Sequence, residues 1–164
     1  MSDNSNFTSP STILGFMTTA PLTCDRLLSA HPKDWQAATV HPFLQQCQQG
    51  TIAADQFNTW LVQDYLFVTE FTRMAAQLLS AAPVSHFDTL LSGLAAIKDE
   101  LLWFEVKAAE RKLSLAALPQ PTCQTYCQFM AALSGESYAV QATAFWAIAL
   151  ASTQGWQTHS PMPP

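Results

Sequence analysis

Residues 54 to 80 read A-D-Q-F-N-T-W-L-V-Q-D-Y-L-F-V-T-E-F-T-R-M-A-A-Q-L-L-S, and this stretch decides the fold. It does not alternate as a strand would, and its apolar residues recur at helical steps. The pattern predicts one long helix from about Ala54 to Ser80, started at Thr51 or Asp55 and stopped by Pro83. Asp64 is the residue that does not belong. Its same-face neighbours are Phe57, Trp60, Leu61, Phe67, Val68 and Phe71, at −7, −4, −3, +3, +4 and +7. Burying an unpaired carboxylate costs on the order of several kcal/mol, so the group must be paired, protonated or held for a ligand. A plain structural hydrogen bond to a helix end or a tyrosine is one solution. The other is a site in which Phe67 stacks on a flat heterocycle while Asp64 accepts hydrogen bonds from its amino group.

Working outward, the same helical spacing continues on both sides. Leu22 to about His31 reads as a helix stopped near Pro32, and Trp35 to Gln49 as a short one kinked by Pro42 and ended by Gly50. A second long helix is expected from about His86 to Lys112, with Ser85 as its N-cap. Its apolar positions Phe87, Leu90, Leu94, Ile97, Leu101 and Phe104 recur at steps of three and four. After Pro119 and Pro121 come helices from about Thr122 to Leu133, closed by Gly135, and from about Ser137 to Gly155. The expected class is all-α, a bundle of long antiparallel helices. Residues 1–21, rich in Ser, Thr and Pro, read as a flexible N-terminal segment, and residues 22–164 as a single domain.

Composition removes several classes of function. Charged residues make up 12% of the chain and hydrophobic ones 49%. An ordinary domain is about one-quarter charged, so a subunit interface is expected to cover part of the apolar excess. With a net charge of −5 and scattered basic residues, there is no stripe for nucleic-acid phosphates. No Lys or Arg precedes Arg26, which argues against a signal or transit peptide. The charge-free run from Ser137 onward is broken by Gln141, Thr143, Ser152, Thr153 and Gln154, so a buried core helix is expected there and not a membrane span. Cys24, Cys47, Cys123 and Cys127 have no C-x-x-C spacing and read as buried free thiols of a cytoplasmic protein. His31, His41, His86 and His159 fit no metal pattern, and no E-x-x-H occurs, so neither metal nor cofactor is expected.

Three further residues are candidates. Glu100 shares its face with Ala96, Ile97, Trp103 and Phe104, with Lys107 too far along for a direct pair. Asp99 has Ala95, Ala96, Leu102 and Trp103 around it, and one of the two acids is expected inside. Tyr126 lies with Phe129, Met130 and Leu133, where a core role with a satisfied hydroxyl competes with a place in a site wall.

Three strings carry a resemblance. They are H-P-F-L-Q-Q-C-Q-Q-G-T-I-A-A-D-Q-F-N-T-W-L-V-Q-D-Y-L-F-V (residues 41–68), L-S-G-L-A-A-I-K-D-E-L-L-W-F (91–104) and A-V-Q-A-T-A-F-W-A-I (139–148). In this order they resemble the TenA/thiaminase-II family, in its branch lacking the family's cysteine. The resemblance implies a haem-oxygenase-like helical fold without haem. It also implies a thiamin-salvage hydrolase that replaces the amine of an aminomethyl-pyrimidine by hydroxyl, and a homo-oligomer. It places Asp64 on the aspartate that grips the pyrimidine, Phe67 beside the ring and Tyr126 in the pocket wall. Where that branch carries a glutamate and, three residues on, a tyrosine, this chain has Ala149 and Ser152. Family members also continue for two or three helices beyond the equivalent of Pro164, and those helices supply a second pocket glutamate. The expectation is therefore double: an aminopyrimidine aminohydrolase by resemblance, or a catalytically impaired pyrimidine-binding or helical interaction module.

Overall fold

The computed structural model describes residues 23–159, so the Ser/Thr/Pro-rich opening segment lies outside the described residues. Contacts divide the chain into two units, Met1–Pro32 and Lys33–Pro164. In the first, α1 (Cys24–Ala30) starts at Thr23, whose hydroxyl accepts a hydrogen bond from the Arg26 amide at 3.4 Å. None of its residues is buried.

Among the described residues the second unit holds six α-helices and no strand. The expected kink at Pro42 is a full break between α2 (Pro32–Thr39) and α3 (Pro42–Gln49). Proline forces its predecessor out of the helical region, and His41 is extended at φ −140° and ψ 141°. Pro42 then serves as the first residue of α3, where its missing N–H costs nothing. His41 caps that helix through Nδ1, which accepts from the Phe43 amide at 3.1 Å. Gly50 ends it in the left-handed region at φ 66°.

The decisive stretch forms α4 (Ala54–Ala81), 28 residues and about 42 Å long. Neither Thr51 nor Asp55 caps it. The N-cap is Ala53 without a side-chain bond, and Asp55 sits inside the first turn, accepting from the Gln56 amide at 2.9 Å. A carboxylate there favours the helix through the dipole, which is why it reads as a start signal. Pro83 follows the end of α4, as expected.

Ser85 falls within a 3-10 turn, Val84–His86, and α5 runs Phe87–Glu110 without a side-chain cap. It stops short of the expected Lys112 because that residue turns left-handed at φ 55°. Helix α6 covers Pro121–Ala132, followed by a 3-10 turn through Gly135, and α7 covers Tyr138–His159. Gly155 does not end α7. It is buried within the helix, where a Cβ would lie 3.2 Å from Leu44 and 3.7 Å from the Thr39 carbonyl, so its missing side chain lets α7 close on α2 and α3.

Helix α4 is the central element, packed on α5, α6 and α7. Its face Leu61, Val68, Phe71, Met74, Ala75 and Leu78 is buried. Opposite lie Ile97, Phe104 and Ala108 of α5, Met130 of α6 and Ile148 of α7. The α5 pattern holds: Leu90, Ile97 and Phe104 are buried, and Phe87, Leu94 and Leu101 are half-buried. Trp60 anchors one end of the core, with ring centroids 5.2 Å from Trp156 and 5.5 Å from Phe43.

Candidate functional site

The side chains of interest gather where α4 meets α5 and α6. Asp64 is partly buried on the aromatic face of α4, and none of the side-chain hydrogen bonds among the described residues ends on it. Burial pushes its carboxyl up to about 7, and the nearby charge of Glu100 pushes the same way. Near neutral pH the group is therefore both donor and acceptor. Glu100 is more exposed, yet partial desolvation raises it as well. Of Asp99 and Glu100 on α5, Glu100 turns to Asp64, and both remain exposed, so the expectation that one sits inside is corrected. Ile97 and Phe104 set the core register of α5; Asp99 falls away from it, and Glu100, three residues after Ile97, sits at its exposed edge. Lys107, at the far end of the same helix, pairs instead with Glu110 at 3.0 Å.

Beside Asp64 runs a column of nearly parallel rings. Phe145 stacks on Phe71 at 4.8 Å and 8°, and Phe71 on Phe67 at 6.0 Å and 8°. Phe67 then stacks on Tyr126 at 5.1 Å and 16°, and Tyr126 on Phe129 at 6.0 Å and 10°. Spacing of three and four along α4 puts Asp64, Phe67 and Phe71 on one side, and α6 supplies Tyr126 three residues before Phe129. The column ends at the surface, with Tyr126 40% and Phe129 48% exposed. Burial of its inner part raises the Tyr126 phenol above its ordinary value. The structure thus brings together Asp64, Glu100, Phe67 and Tyr126 around the α4 face. Ala149, from α7, packs against the apolar core.

An open cleft of about 530 Å³ lies on another side of α4, lined among others by His41, Phe43, Asp55, Trp60 and Gln63. Asp64 does not line it. Sequence reasoning read His41, Asp55 and Trp60 for other roles and placed none of these residues in a cleft, because the cleft joins separate helices.

The cysteine expectation needs correction. All four are free, but Cys24 is exposed and the other three are only partly buried. Cys123 and Cys127 face each other on α6, sulfur to sulfur 3.9 Å. Burial, then Cys123 and its hydrogen bond, then the Glu70 charge push the Cys127 thiol up to about 11 against a smaller opposing pull from Arg73. Among the described residues, no group of three or more His, Cys, Asp or Glu is placed to hold a metal. No described helix is long and apolar enough to cross a membrane.

An all-helical domain with paired acids beside a wall of stacked rings is the class that fold and site define. The TENA/THI-4/PQQC family model matches residues 29–159, and the chain belongs to that family. It is 36% identical over 129 residues to a probable bifunctional TENA-E protein of Glycine max, covering 74% of this chain and 56% of that protein. To the aminopyrimidine aminohydrolase of Bacillus subtilis (strain 168) it is 29% identical over 111 residues, covering 62% and 46%. The chain thus spans about half the length of these curated relatives. A crystal structure of a TenA homologue from Pyrococcus furiosus superposes with a TM-score of 0.78 at 26% identity, covering 84% of this chain and 71% of that one.

Proposed function

We propose that this chain carries the ring-binding site of a thiamin-salvage aminopyrimidine hydrolase, and that its substrate is an aminomethyl-pyrimidine. One observation carries the reading: a carboxyl pushed up to about 7, without a hydrogen-bond partner among the described residues, lies on the α4 face that presents Phe67, on which Tyr126 of α6 stacks. A 4-aminopyrimidine offers an N–H donor next to a ring nitrogen. A protonated Asp64 meets both at once, accepting from the amino group and donating to the nitrogen. The stacked rings match the flat heterocycle, and the names of the Bacillus subtilis and Helicobacter pylori relatives support the substrate class.

Hydrolysis converts the aminomethyl group and water into a hydroxymethyl group and ammonia. It needs a proton for the departing amine and a base for the water, each worth typically about 10²–10⁴-fold. Glu100 is the second carboxyl available for that exchange. Ala149 favours a second reading, binding without turnover, because it puts a methyl group where the resemblance implies an acid. The apolar residues left exposed on α5 support self-association, and the free thiols suit a cytoplasmic setting.

Calorimetric titration with 4-amino-5-aminomethyl-2-methylpyrimidine, followed by mass spectrometry of the same cell, separates the two. Heat plus hydroxymethyl product establishes the hydrolase. Heat without product, abolished in Asp64→Ala, establishes the binder and makes Ala149→Glu the rescue to try. No heat at all rejects both readings.

A further inference from the structure

We propose that Gln63 is a positioning residue that seats Tyr126 on the α4 ring column; this rests on the reading of Asp64, Phe67 and Tyr126 as the ring-binding site. Gln63 immediately precedes Asp64 but reaches the other way, to the loop that leads into α6. Its Oε1 accepts from the Gln120 amide at 2.6 Å, and its Nε2 donates to the Leu118 carbonyl at 3.3 Å. A primary amide offers the same donor and acceptor as a peptide group, so it holds two backbone groups of the loop at once. A third tie comes from Cys123, whose thiol donates to the Gln63 carbonyl at 3.4 Å.

These ties fall at the near end of α6, ahead of Cys127, which packs on the core. The helix starts at Pro121, which has no N–H, and Gln120 gives it no side-chain cap. Its far end is held by Met130, buried to 1% exposure. Tyr126 lies between the two, about 9 Å along the axis from Gln120. With the near end released, α6 pivots on Met130 and the Tyr126 ring leaves Phe67. Asp64 and Phe67, on α4, stay where they are. Gln63 therefore sets the distance between the acid on one helix and the tyrosine on the other.

The full chain labelled with 3-fluorotyrosine tests this, since it has three tyrosines and Tyr126→Phe assigns the relevant fluorine signal. Gln63→Met removes both side-chain bonds at nearly constant size. Gln120→Pro removes the partner N–H from the loop side; Gln120 already has φ −67°, which proline accepts. The expected result is that the Tyr126 signal moves or splits in both variants while Tyr65 and Tyr138 hold theirs. The aminopyrimidine Kd should rise roughly tenfold in each. A Tyr126 signal unchanged in either variant that retains the parent's helical circular dichroism overturns the proposal. If the parent binds no aminopyrimidine, the ring-binding reading fails, and the fluorine spectra still decide the clamp.

Discussion

Asp64 holds its proton more tightly in the fold than in the open chain, because burial and Glu100 both disfavour its charge. The folded value lies above the unfolded one, so its contribution to stability is complete below about pH 4. That contribution is lost as pH rises through about 7. Asp64→Asn removes the dependence. Thermal melts should show the variant more stable than the parent at pH 8 and no better at pH 4, by about 2–4 °C per kcal/mol relieved. Equal melting differences at both pH values would show that Asp64 titrates normally. The same proton governs ligand binding: aminopyrimidine affinity should fall as pH rises from 7 to 9, by up to about tenfold per unit, in calorimetry on the parent chain.

At the scale of elements, the C-terminus of α5 is closed by a residue poorly suited to it. Lys112 takes φ 55° so that the Leu113 amide can reach the Ala108 carbonyl at 2.9 Å. A left-handed L-residue costs about 1–2 kcal/mol, part of which glycine returns as extra chain entropy. Lys112→Gly should therefore stabilise the fold by about 0.5–1 kcal/mol, read as a shift of the urea midpoint at unchanged slope. A midpoint that falls would mean that Lys112 contributes more than its backbone. The break at Pro42 is the opposite case, a residue well matched to its place as the first of α3.

For the whole molecule, the low charge content leaves apolar side chains outside the core. On α5, Leu91, Leu102 and Val106 are 51%, 49% and 55% exposed, with Ala95 beside them. Leu102→Lys should change folding stability by no more than about 0.5 kcal/mol, because among the described residues about half of the side chain faces solvent. It should also lower the sedimentation coefficient at high concentration if this stripe joins copies. Identical sedimentation of parent and variant would remove α5 as the contact.

The periodicity of residues 54–80 and 87–104 was enough to give the all-helical class, the central helix and the core face of α5, because burial repeats with the turn of a helix. It also marked Asp64, since an acid surrounded by apolar and aromatic residues at ±3, ±4 and ±7 stands out in any helical register. Boundaries were less legible: Thr51, Ser85 and Gly155 carry start and stop signals that packing overrides, most plainly where Gly155 continues α7 against Thr39 and Leu44. The exposure of Cys24 and Glu100, the stacking of Tyr126 on Phe67 and the reach of Gln63 to Leu118 and Gln120 came only from the tertiary structure. Helical spacing determines what shares a face within one helix. Which face meets which, and at what distance, depends on how separate helices pack, and residues 55 or 59 positions apart meet only once that packing exists.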